Sequence, residues 1–149
     1  VINNVNIQTS KVDVLSEEDL ETHYSSDIKY DIIVSNPPYI TNSEKSKMED
    51  NVLNYEPHLA LFVPDSNPLL FYNKIADISL RLLKKDGRLF FEINPPYAND
   101  LVKMLKEKGY KEVELRKDIT GKLRMLKAVL HTSNSWNLEI SILSIKNYE

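Results

Sequence analysis

The residues best suited to chemistry in this chain are two copies of Asn-Pro-Pro-Tyr. One is Asn36–Tyr39 in "YDIIVSNPPYI"; the other is Asn94–Tyr97 in "LFFEINPPYAND". Each follows an apolar run that reads as a buried strand. At a strand's carboxyl end this tetrapeptide is a rigid polar clamp, because proline fixes its own φ and holds the preceding residue extended. Pro38 carries no N–H, and the carbonyl of Pro37 can point outward as an acceptor. The Asn36 side chain adds an acceptor and two donors. Tyr39 adds an aromatic face for a flat group. Two acceptors and a ring describe a holder for a planar –NH2 group. Taken alone, the same letters also suit a proline-stiffened turn with a core tyrosine.

The rest of the chain must place these residues. "YDIIVS" and "RLFFEI" are apolar runs of the kind buried on both faces of a parallel sheet. Between them, the stretch from Thr41 to Pro68 is polar and proline-punctuated, the length of a functional loop. Asn67 then suits a helix N-cap and Pro68 the first helical position. Leu69, Tyr72, Ala76, Leu80 and Leu83 form one apolar stripe, Lys84 and Lys85 suit a last turn, and Gly87 suits the C-terminal cap. "NDLVKMLKEKGY" predicts a second helix ending at Gly109. "KEVELRKD" and "KLRMLKAVL" flank a hairpin turn at "ITG". Near the start, Val5 to Leu15 reads as a strand, followed by an acidic loop or short helix capped by Ser16. Trp136, Leu138, Ile140 and Ile142 alternate with polar residues, which suits a strand in the tail. The order β, β, α, β, α, β, β implies an α/β fold, mostly parallel, closed by a C-terminal antiparallel hairpin.

Composition narrows the classes. The chain has 149 residues, 42% of them hydrophobic, enough for one domain with a real core. A net charge of −3 gives no global pull toward nucleic acid. Without cysteine there is no disulfide framework and no thiolate metal site. The three histidines, His23, His58 and His131, lie far apart and predict no metal site. No apolar run reaches the roughly 18 residues of a membrane span. A cytoplasmic protein is the expectation.

"YDIIVSNPPYI" resembles motif IV of class I S-adenosylmethionine-dependent amino-methyltransferases. Three further stretches narrow the match: "NYEPHLALF", "LLKKDGRLFFEI", and "DITGKLRMLKA" with Asp118, Gly121 and Arg124. Together they resemble the HemK/PrmC family over about Val5 to Val129. The resemblance implies methyl transfer from S-adenosylmethionine to the side-chain amide nitrogen of the glutamine in the GGQ loop of peptide chain release factors. It implies that Asn36 and the Pro37 carbonyl accept the two amide hydrogens, with Pro38 in the same clamp and Tyr39 packed on the amide plane. Glu56 would shape the substrate loop. Asp13 and Val14 would face the cofactor adenine, with Asn36 also beside the cofactor. Glu92 reads as an acid lining the site or as a structural strand end.

The family's pattern is incomplete here. Only three glycines occur, and no Gly-x-Gly for a cofactor loop. The chain begins at Val1, and its first strand resembles the family's third. The expectation is therefore a partial Rossmann-like sheet lacking the first two strands. Residues 1–130 would be the C-terminal part of a methyltransferase domain and 131–149 a tail. Such a fragment should bind S-adenosylmethionine weakly or not at all, and its incomplete sheet would favour a homo-oligomer. The second Asn-Pro-Pro-Tyr departs from the family: Asn94 stands where a glycine is usual and Tyr97 near a usual glutamine. It is expected to adjoin the clamp and lead into a helix. Two alternatives stay open: a DNA or RNA amino-methyltransferase acting on adenine N6 or guanine N2, and a non-catalytic binding remnant.

Overall fold

A computed structural model describes residues 7–24, 27–47, 61–131 and 142–145. The described elements run α1 (Glu17–His23), β1 (Tyr30–Ser35), β2 (Ile40–Thr41), a 3-10 turn (Asn42–Lys47) and β3 (Phe62–Val63). Then come α2 (Leu70–Leu82), β4 (Leu83–Glu92), a 3-10 turn (Pro95–Tyr97), α3 (Ala98–Glu107), β5 (Lys111–Lys117), β6 (Leu123–Leu130) and β7 (Ile142–Ile145). Five strands form one sheet in the order β5-β6-β4-β1-β7, and β2 pairs with β3 in a separate ribbon. β1 runs parallel to both β4 and β7, whereas β4–β6 and β5–β6 are antiparallel. This is the expected α/β sheet with its closing hairpin.

One face of the sheet is covered. Ile33, Leu89, Phe91, Leu126 and Ala128 are almost wholly buried, together with Tyr72, Ile75 and Ala76 of α2 and Leu101 and Leu105 of α3. Burying a side chain of this size stabilises by about 1.5–3 kcal/mol. Val34 and Met125, which point to the other face, are 39% and 45% exposed. The continuous apolar run of β1 is thus not buried on both faces. Among the described residues no helix packs against that second face.

Two helix boundaries differ from expectation. The helix starts at Leu70, not Pro68. Pro68 and Leu69 form a lead-in turn closed by the Leu70 N–H on the Asn67 carbonyl at 3.2 Å, and no side chain caps the end. At the other end the chain leaves the helix at Leu82, because Leu83 already pairs with Tyr30 of β1. Lys84 then reaches Asp31 at 3.0 Å instead of serving a last helical turn. Gly87 is no C-cap. A Cβ there would lie 2.8 Å from the Lys84 carbonyl oxygen, so any larger residue would force the backbone of the tight bulge to shift. Gly109 does end α3 as expected, at φ +97°, with the Tyr110 N–H bonded back to the Leu105 carbonyl. Ser16 caps α1 through its hydroxyl to the Asp19 N–H at 3.2 Å.

The expected strand at Val5 to Leu15 is absent from residues 7–15. The outer edge of β1 carries β7 instead. The tail thus supplies a sheet strand. Trp136, Leu138 and Ile140 lie outside the described residues, as do Glu56 and most of "NYEPHLALF".

Candidate functional site

β1 and β4 lie side by side in parallel with Ser35 opposite Phe91, so their carboxyl ends open at the same edge. Ligands of open α/β sheets bind at such edges. Beyond β1 the chain turns through Asn36, which is exposed, and Pro37 and Pro38, which are both buried. Beyond β4 it enters the second stretch with Asn94 only 7% exposed. The two Asn-Pro-Pro-Tyr copies therefore meet, although they are far apart in sequence.

Tyr39 is the centre of that meeting. Its hydroxyl donates to Glu92 Oε1 at 2.8 Å. Burial first, and then the bond to the Glu92 carboxylate, push the phenol pKa up to about 12, so Tyr39 is neutral at ordinary pH. Arg124 lies close enough to oppose that rise, and its Nε sits 3.5 Å from Asp118 Oδ2. Glu92 is supported in turn by Tyr72, whose hydroxyl donates to the Glu92 carbonyl at 3.0 Å. The Tyr72 ring meets Phe91 edge-on, with centroids 5.1 Å apart.

The backbone of Tyr39 is held separately. Asn94 Nδ2 donates to the Tyr39 carbonyl at 3.2 Å and to Glu44 Oε2 at 3.0 Å. Glu44 Oε2 also accepts the Thr41 N–H at 2.9 Å and the Thr41 hydroxyl at 2.8 Å. Thr41, Glu44 and Tyr72 are site residues that were not singled out from the sequence. Thr41-x-x-Glu44 has the spacing of a capping box, which marks a helix start and could have flagged the pair.

The other candidates make different contacts. Asp13 is exposed, and its carboxylate accepts the Leu15 N–H at 2.9 Å while its own N–H goes to Asp19 at 3.0 Å. Val14 is 3% exposed and packs in the core. No hydrogen bond among the described residues joins Asp13 or Val14 to Asn36. Asp118 closes the β5–β6 turn, with Oδ1 accepting from the Thr120 N–H and hydroxyl and from the Lys122 N–H. The Thr120 hydroxyl bond leads the causes that lower its pKa. Gly121 stands at φ +83°, a conformation that favours glycine.

A candidate DNA modification methylase from Thermus thermophilus superposes with a TM-score of 0.51 at 15% identity, covering 82% of this chain and 54% of that one. Sheet order and strand-end site together define a partial Rossmann-like class I methyltransferase fold. No family model matches the chain. A release factor glutamine methyltransferase from Bacteroides thetaiotaomicron is 54% identical over 99 residues, covering 66% of this chain and 36% of the relative. One from Flavobacterium psychrophilum is 46% identical over 127 residues, covering 85% of this chain and 42% of the relative. The chain belongs to the release factor glutamine methyltransferase family. It spans about two fifths of the length of these curated relatives.

Proposed function

We propose that this chain carries the acceptor half of a protein glutamine-N5 methyltransferase whose substrate is the GGQ loop of a peptide chain release factor. The observation that carries this reading is the exposed Asn36 at the carboxyl end of β1, on a turn fixed by two buried prolines and anchored at Tyr39. In this reading Asn36 Oδ1 and the Pro37 carbonyl accept the two hydrogens of the glutamine amide. The Tyr39 ring packs on the amide plane. An amide nitrogen is a poor nucleophile because its lone pair is delocalised. Holding both hydrogens orients that nitrogen and favours positive charge growing on it, so positioning and electrostatics supply the catalysis. Residues 1–130 then act as the C-terminal part of a methyltransferase domain, and 131–149 lend it an edge strand.

The donor this family implies is S-adenosylmethionine, which would supply an activated methyl group. The residues described here do not form a seat for it. One oxygen of the exposed Asp13 carboxylate accepts the Leu15 N–H, and Val14 is buried in the core. The Val14 side chain is therefore not presented to a ligand, and the chain has no Gly-x-Gly turn for one to approach. A cytoplasmic site of action fits this reading. A homo-oligomer through the sheet would form at a place other than the outer side of β1, which carries β7 of the same chain.

A second reading rests on the clamp itself, since Asn36 and Pro37 would hold an adenine or guanine amino group equally well. A chimera separates the two. The aligned stretch of the Flavobacterium psychrophilum relative is replaced by this chain's, and methylation is measured on release factor, DNA and RNA. Glutamine methylation that Asn36→Ala lowers by about 10²–10³ is expected. Transfer to a base, or transfer indifferent to Asn36, would overturn the proposal.

A further inference from the structure

We infer that Asn94, the first residue of the second Asn-Pro-Pro-Tyr, is a positioning residue for the first. Its side-chain amide ties the Tyr39 carbonyl to the Glu44 carboxylate and so fixes the turn that presents Asn36 and Pro37. The inference rests on the amide-clamp reading, and it deepens that reading by naming what holds the clamp still.

Asn94 is one of four buried polar residues among those described, with Ser35, Thr41 and Ser79. A buried amide must find partners, and here both N–H groups have them. The three oxygens facing Nδ2 are all acceptors: the Tyr39 carbonyl at 3.2 Å and the Glu44 pair at 3.0 and 3.3 Å. That set fixes which way the amide points, and it excludes a carboxylate at this position at neutral pH. The residue is not spent on its own turn. Its side chain makes no cap bond, and only its backbone carbonyl serves the turn, accepting the Tyr97 N–H at 3.1 Å.

The mechanics follow from the prolines. Pro37 and Pro38 each fix φ, so the clamp behaves as a short stiff bar. Such a bar is oriented by its ends. One end is Ser35, held in the sheet between Phe91 and Ile145. The other is Tyr39, with its ring on Glu92 and its carbonyl on Asn94. Asn36 lies between them, exposed but held from both sides.

The test uses the isolated 149-residue chain and nitrogen-15 relaxation of the backbone amides of Asn36, Tyr39 and Ile40. In the parent chain these should have order parameters of about 0.85, the value of rigid backbone. Asn94→Ala should drop them below about 0.6, while the amides of Leu89 and Ala128 keep their values and report an intact sheet. Asn94→Asp adds the donor test. The charged groups around this position are Glu44, Glu92 and Arg124, with the Tyr39 phenol neutral. As pH falls, the introduced carboxylate and Glu44 together take up one proton, a donor returns and the turn should stiffen; at neutral pH it should be loose. The pH profile is read beside Asn94→Ala, since an added carboxylate next to Glu44 also repels it at neutral pH, and only a loosened turn in Asn94→Ala separates positioning from space-filling. Unchanged order parameters in Asn94→Ala, or a pH-independent Asn94→Asp, would overturn the inference. No donor or acceptor is present, so failure of the glutamine reading shows only in the chimera assay.

Discussion

The two Asn-Pro-Pro-Tyr stretches share four letters and use them in opposite ways. In the first, the asparagine is exposed and the prolines are buried; in the second, the asparagine is buried and Pro96 is exposed. The first continues into Ile40–Thr41, a short strand, and forms no helical turn of its own. The second is followed by "ANDLVKMLKE", a good helix former, and its prolines wind into a 3-10 turn that feeds α3. The conformation of a tetrapeptide is thus set by the element it must join. The tyrosines diverge as well. The Tyr39 hydroxyl bonds Glu92, whereas among the described residues the Tyr97 hydroxyl has no hydrogen-bond partner. One copy is built to face outward, and the other is turned inward to support it.

The largest effect should come from setting the two asparagines against each other in the chimera. Asn36→Ala removes a group that touches the reacting amide, and a loss of about 10²–10³ in glutamine methylation is expected by analogy with deletion of one preorganised polar group. Asn94→Ala acts only through the turn and should cost about tenfold, mostly in kcat because the acceptor can still dock in a misaligned pose. Methylation rates measured side by side check this. Equal losses would erase the distinction between the copies.

Much of this arrangement could be read from the residues beforehand. The apolar periods of β1, β4, α2 and α3 located the elements, Gly109 marked the end of α3, and Asn36 to Tyr39 stood out at a strand's end. What was hidden depends on distant partners. Gly87 looks like a helix cap until Leu83 pairs with Tyr30 and the bulge closes over the Lys84 carbonyl. Residues 7–15 have strand composition, but composition alone makes no strand, and the place beside β1 goes to β7. The Asn94–Tyr39 bond joins residues 55 apart, and no local propensity encodes it. Thr41 and Glu44 were within reach, since their spacing is local and familiar.

A middle-sized effect tests the shared support of both stretches. Glu92 holds the Tyr39 ring through its side chain and is itself held at its carbonyl by Tyr72, a fully buried residue. Tyr72→Phe keeps the ring against Phe91 but strips the Glu92 carbonyl of that donor. Leaving a buried acceptor unmet costs about 1–3 kcal/mol. Urea denaturation should show a lower midpoint with an unchanged slope. A midpoint equal to the parent's would mean that water replaces the hydroxyl and that Tyr72 does not brace the site.

The smallest effect, and the most local, is the titration of Tyr39. Burial and the Glu92 carboxylate raise its pKa to about 12, above the usual value of 10. The folded state therefore holds the phenol proton more tightly than the unfolded chain. That contribution to stability is fully present below pH 10 and is lost as pH climbs toward 12. Glu92→Gln keeps an acceptor for the hydroxyl but removes the negative charge. The pKa should then fall part of the way back, since the burial remains. Near-ultraviolet absorbance of the phenolate, followed against pH in Tyr39→Phe, Glu92→Gln and parent chains, isolates this one ring. A Glu92→Gln profile that overlays the parent's would show that burial alone sets the ionisation. In that case the carboxylate serves only to aim the ring, and the contrast with Tyr97 would be one of geometry, not of charge.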